Sequence, residues 1–100
     1  MSPQATGSDD LKRALGDNIA RCRRRVGISQ EELSYRASLH RTEVSQLERG
    51  LRLARVDTLL RVAGALGVAV GDLLEGMAWR PGDVRLGRFE RAVGGGNAED

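Results

Sequence analysis

Chemically reactive residues are scarce in this 100-residue chain: it has one cysteine, one histidine, one lysine, two prolines and only three aromatic residues. Cys22 alone excludes an internal disulfide and the multi-cysteine kind of structural zinc site, so a reducing, cytoplasmic setting is expected. His40 has no second histidine to share a metal, and no metal or other cofactor is expected. The first ten residues, MSPQATGSDD, lack the apolar stretch of a signal peptide. The longest apolar-rich run, Val62 to Leu74, contains three glycines and is too short to cross a bilayer. Catalytic groupings are missing too. Glu31 and Glu32 suit a helix start, Ser29 has no His or Asp arrangement to activate it, and Gly64, Gly67 and Gly71 do not match a phosphate-cradling loop. Enzyme activity is not expected. With few aromatics, Leu, Val and Ala must supply the core, which suits helices better than a pleated sheet, so the chain reads as all-α.

Positive charge is abundant in one region. The net charge is +2, but residues 12 to 61 carry 12 basic and 6 acidic side chains, while both flanks are net negative. Such a block attracts polyanions through its long-range field and through counterion release. Nucleic acid is the first partner to consider and an anionic membrane surface the second, although the lack of an amphipathic segment rich in exposed aromatics counts against the membrane. Fifteen of the sixteen basic residues are Arg, whose planar fork fits phosphates and guanine edges; a coding bias toward Arg, Gly and Ala is the plainer source of the same excess.

Residues 1–8 read as a flexible leader, with a helix beginning about Ser8. Leu11, Leu15, Ile19, Cys22 and Val26 recur at helical spacing, and Gly27 closes that helix. Ser29-Gln30-Glu31-Glu32 has the form of a capping box, so a second helix starts at Gln30 with Leu33 and Ala37 inward. After a break at Ser38 to His40, a third helix runs from about Arg41 to Arg49, anchored by Val44 and Leu47 and ended by Gly50. A fourth is expected from about Val56 to Leu66, with Val56, Leu59, Leu60, Ala63 and Leu66 inward, and a short fifth near Val70 to Glu75. Residues 77–100 read as an irregular tail. Within it Val84 and Leu86 alternate in a strand-like way before Gly94-Gly95-Gly96.

The tight junction between the second and third helices is the informative feature. Two helices joined by about three residues cross steeply, and the second can project from the body, which is the helix-turn-helix arrangement. The major groove of B-DNA admits one α-helix, whose first turns meet the base edges. With Val44 and Leu47 facing the core, Arg41, Thr42, Ser45, Gln46 and Arg49 are left for solvent or groove.

The fragments Ser29-Gln30-Glu31-Glu32-Leu33, Val44-Ser45-Gln46-Leu47-Glu48-Arg49-Gly50, Thr58-Leu59-Leu60-Arg61-Val62-Ala63 and Ala65-Leu66-Gly67-Val68, in this order and spacing, resemble the lambda-repressor-like (XRE or Cro/repressor type) helix-turn-helix family. The likeness covers roughly residues 11 to 76. It implies a compact five-helix DNA-binding domain over residues 9–76 and a sequence-specific transcriptional regulator of double-stranded DNA, acting as a homodimer on a two-fold-related operator. By the same resemblance Arg41, Thr42, Ser45 and Gln46 are base readers, with Arg41 suited to guanine and Gln46 to adenine. Gln30, Arg49, Arg52 and Arg55 are implied phosphate contacts, and Arg23 and Glu48 a structural ion pair. Glu43 either accepts from a cytosine amino group or faces a protein neighbour.

The chain departs from the family at several points. Ser38 stands where Gly is usual, implying a left-handed residue. Ala54-Arg55 and Ala69 replace frequent capping residues, and His40 replaces a small hydroxyl residue before the third helix. His40 is either a pH-sensitive phosphate contact or an ordinary turn residue. Trp79 packs on its own domain or serves a dimer contact or ligand pocket, and Arg85, Arg88 and Arg91 form a solvated face or a basic strip. The alternative function is a protein-interaction module, such as the antitoxin of a toxin-antitoxin pair, with the tail from Trp79 binding the partner.

Overall fold

The structure is a computed structural model that describes residues 8–82 and 87–91. Expectations that fall on residues 1–7, on Val84, Arg85 and Leu86, and on the glycines 94–96 lie outside the described residues. Five helices follow in order: α1 (Ser8–Val26), α2 (Gln30–Ala37), α3 (Arg41–Glu48), α4 (Val56–Leu66) and α5 (Val70–Leu73). Two short strands, β1 (Met77–Arg80) and β2 (Arg88–Arg91), complete the described chain.

Local chemistry accounts for most of these boundaries. In α1, Asp9 and Asp10 occupy the first turn and Arg23, Arg24 and Arg25 the last, each matching the helix dipole. Ser29 Oγ accepts the Glu32 backbone N–H at 3.0 Å. The second half of the capping box goes elsewhere: the Glu32 carboxylate accepts from Arg36 Nε at 2.8 Å. Ser38 is left-handed at φ 58°, and Leu39 N–H bonds back to Ser34 C=O at 2.9 Å, so the Schellman closure forms without glycine. At α5, Ala69 offers no capping oxygen, and Asp72 Oδ2 accepts the Ala69 N–H at 3.1 Å instead.

The core forms where α1, α2, α4 and α5 converge, with Ile19, Leu33, Val62 and Leu73 fully buried and Leu15, Cys22, Val44, Leu47 and Leu66 around them. Three residues expected inward are not. Val26 is 41% exposed, because the chain turns at Gly27 and Ile28 packs on the core in its place. Val56 and Leu60 are 73% and 57% exposed. The buried face of α4 is Thr58, Val62, Ala63 and Leu66; Leu60 lies about 200° around the helix from Val62, since each residue advances about 100°. The phase of α4 is set by the neighbours it must meet on α2, α1 and α5.

Two α1 residues fix the arrangement of the other helices. Gly16 lies under the end of α3, where an added Cβ would stand 2.5 Å from Leu47 O and 2.8 Å from Glu48 O. Asn18, 2% exposed, donates its amide to Leu73 O at 2.8 Å and Glu75 O at 2.9 Å, satisfying carbonyls at the end of α5.

The tail is not wholly irregular. Strands β1 and β2 pair antiparallel, with Trp79 opposite Phe89 and Arg80 opposite Arg88. The Trp79 and Phe89 rings meet edge to face at 5.0 Å, and the hairpin packs against α1. The like charges Arg80 and Arg88 are reconciled by Glu90, whose carboxylate lies 2.7 Å from Arg80 Nη2 and 3.6 Å from Arg88 Nη2.

Candidate nucleic-acid interface

Helix α3 is held by one face and open on the other. Val44 and Leu47, three residues apart and each 1% exposed, seat it in the core. The opposite side begins with Arg41 and Thr42, both exposed, followed a turn later by the half-buried Ser45 and Gln46. His40 sits at the N-cap in extended conformation without a side-chain cap, and its carbonyl accepts the N–H groups of Glu43 and Val44 at 3.0 and 3.2 Å. The first turn is therefore regular although a hydroxyl cap is missing.

The far end of α3 is tied down by Glu48. Its Oε2 accepts from Arg23 Nε at 2.6 Å, while Oε1 accepts from Arg23 Nη2 at 3.0 Å and from Gln30 Nε2 at 2.9 Å. Arg23 also donates Nη1 to Ile28 O at 2.8 Å. These side chains are only 13% and 5% exposed, so one carboxylate joins the end of α1, the start of α2 and the end of α3. The Glu48 hydrogen bond, opposed by desolvation and aided by charge attraction, holds the Arg23 pKa above its ordinary value. An α3 braced in this way can present its polar side as a fixed rod.

Beyond α3 the chain reverses at Gly50. Gly50 N–H bonds to Leu47 O at 3.1 Å and Leu51 N–H to Gln46 O at 2.9 Å, which turns the next residues back along the helix. Arg49 and Arg52 are exposed there, and Arg55, exposed at the N-cap of α4, pairs with Asp57 at 3.3 Å.

The segment that carries this geometry is also matched as a unit: residues 19–73 fit the helix-turn-helix family. The chain belongs to the XRE-type helix-turn-helix family. Over 65 residues it is 42% identical to an uncharacterized HTH-type transcriptional regulator, y4dJ, of Sinorhizobium fredii, spanning 65% of this chain and 84% of that one. It is similar to the crystal structure of the restriction-modification controller protein C.AhdI from Aeromonas hydrophila, with TM-score 0.61 and 31% identity over 62% of this chain and 94% of the controller. It is also similar to the hypothetical transcription factor NHTF from Neisseria, with TM-score 0.62 and 36% identity, a match covering 74% of this chain and 86% of that protein.

Within this helix-turn-helix protein, the expected readers Arg41, Thr42, Ser45 and Gln46 lie together along one side of α3. The expected phosphate residues are less uniform. One amide hydrogen of Gln30 is committed to Glu48, leaving the second for a phosphate. Arg49 stands exposed, Arg55 already has a carboxylate neighbour, and Arg52 Nη1 donates to Gln46 Oε1 at 3.1 Å, so an expected positioner touches an expected reader. Gly16 and Asn18 were not singled out from sequence. Asn18 carried a signal: it sits at helical spacing from Leu11 and Leu15, a polar residue on the apolar stripe. Among the described residues no group of His, Cys, Asp or Glu is gathered as a metal site would require, and no helix is long and apolar enough to cross a membrane.

Proposed function

We propose that this DNA-binding helix-turn-helix regulator reads a two-fold-related operator as a cytoplasmic homodimer, one α3 entering the major groove at each half-site. The observation that carries the reading is the exposed Arg41-Thr42 turn on a helix seated on its other side by Val44 and Leu47 and tied at its far end by Glu48. Arg41 binds guanine through its fork, and Thr42, Ser45 and Gln46 contact neighbouring base edges. Gln30, Arg49, Arg52 and Arg55 hold the sugar-phosphate backbone and set the register without reading sequence. Residues 9–76 form the DNA-binding unit, and residues 77–100 an appendage suited to dimer or partner contact.

Fluorescence anisotropy against genomic fragments at several salt concentrations tests this. Tight binding to a subset of fragments, weakening steeply with salt, is expected, because phosphate contacts release counterions. Binding to no duplex, or binding indifferent to salt, overturns it.

A further inference from the structure

The contact between Arg52 and Gln46 is not required by the fold, which is held by the core and by Glu48. Arg52 nevertheless reaches Gln46 through a defined route. The backbone bonds of Gly50 to Leu47 and of Leu51 to Gln46 bring the chain back along α3, and Gly50 takes φ 72°. A Cβ at Gly50 would lie 3.3 Å from Arg13 Cα, so the reversal is also pressed against α1.

We infer that Arg52 is a positioning residue for base recognition: its guanidinium holds the Gln46 amide with the oxygen turned toward it and the NH2 end presented to the DNA. The inference rests on the reading that α3 enters the major groove. A guanidinium only donates, so it can bind the oxygen end of a carboxamide and never the nitrogen end. A free Gln side chain can flip between the two orientations and can pair with adenine through N6 and N7. Held by Arg52, Gln46 offers donors, which suit the O6 and N7 acceptors of guanine. One N–H of Arg52 is spent on Gln46 at 3.1 Å, and the remaining donors of its fork are left for a phosphate. Arg52 then couples a backbone contact to the setting of a reader, and it departs from the purely sequence-independent role that its neighbour Arg49 keeps.

The test begins with an operator selected from random DNA by the full-length chain. All four base pairs are then placed at each half-site position, and affinities are measured for the wild type, Arg52→Ala, Gln46→Ala, the double variant and Arg49→Ala. Circular dichroism checks that each is folded, which exposure of Arg52 and Arg49 favours. At one position per half-site the wild type should prefer guanine, and Arg52→Ala should shift the ranking toward adenine by about fivefold or more. Gln46→Ala and the double variant should share one flat ranking there, and Arg49→Ala should lower all four affinities alike. An Arg52→Ala variant that scales all four equally, or shifts the ranking even without Gln46, overturns the inference and leaves the regulator reading standing. A wild type that selects no operator overturns both.

Discussion

The Glu48 side chain is 5% exposed and satisfied by Arg23 and Gln30, so removing a partner leaves a carboxylate with little water to replace it. Arg23→Ala should destabilise the protein by about 3–5 kcal/mol, because an uncompensated charge then stays buried. Thermal melts followed by circular dichroism should show Tm lower by more than about 10 °C; a change of only a few degrees would show that the carboxylate does not bind the three helices together. Arg41 has no such structural duty, being exposed at the start of α3. Arg41→Ala should leave Tm almost unchanged and cost about 1–3 kcal/mol of discrimination at one operator position, which a binding series over base-pair substitutions would detect. The pair Arg23 and Glu48 was legible because a family pattern placed both residues. The Gln46 and Arg52 contact was not, since it depends on how the chain turns after Gly50.

Helices and strands here differ in how far their own residues specify them. The start of α2 is written in Ser29 and the end of α4 in Gly67, whose φ is 71°. By contrast, nothing within Gly16 announces that α3 passes over it. Gly16→Ala would put a methyl group within 2.5 Å of a backbone oxygen, and the helices would have to part. A loss of about 1–3 kcal/mol is expected, the usual cost of overpacking; an unchanged denaturation midpoint would mean that α1 and α3 are not seated this closely. The hairpin offers a test by acid. Arg80, through its hydrogen bond, holds the Glu90 pKa below the usual carboxylate value. A lowered carboxylate pKa supports the folded hairpin above about pH 4.3, and that support fades as pH falls through the lowered value. Emission of Trp79, the sole tryptophan, should therefore shift to the red in wild type on acidification. In Glu90→Gln the emission should be partly shifted at neutral pH and respond less to acid. Identical titrations for the two proteins would rule out Glu90 as the acid-sensitive support.

At the level of the complete protein, the charge distribution and the single braced α3 work together. The basic middle segment supplies long-range attraction, and under the proposed reading α3 is a short reading surface that two copies would double. Half-sites about 34 Å apart, one turn of B-DNA, are expected for such a pair. Inserting about five base pairs between them turns one half-site to the opposite side of the duplex and should abolish cooperative binding, whereas inserting about ten should restore much of it. Band-shift titrations of the spaced operators would reveal this, and equal affinity at every spacing would argue for monomers bound independently.

Helix ends, the tight α2–α3 junction and the basic segment are decided by residues within a turn or two of one another, so the chain's order of amino acids was enough to locate them. Which face of α4 is buried, why Asn18 lies inside and how β1 finds β2 all depend on partners outside their own element. Capping and periodicity act over a few residues; burial and hydrogen-bond pairing are settled only when separated segments meet, and in this protein those meetings set how α3 is held and which of its sides stays open.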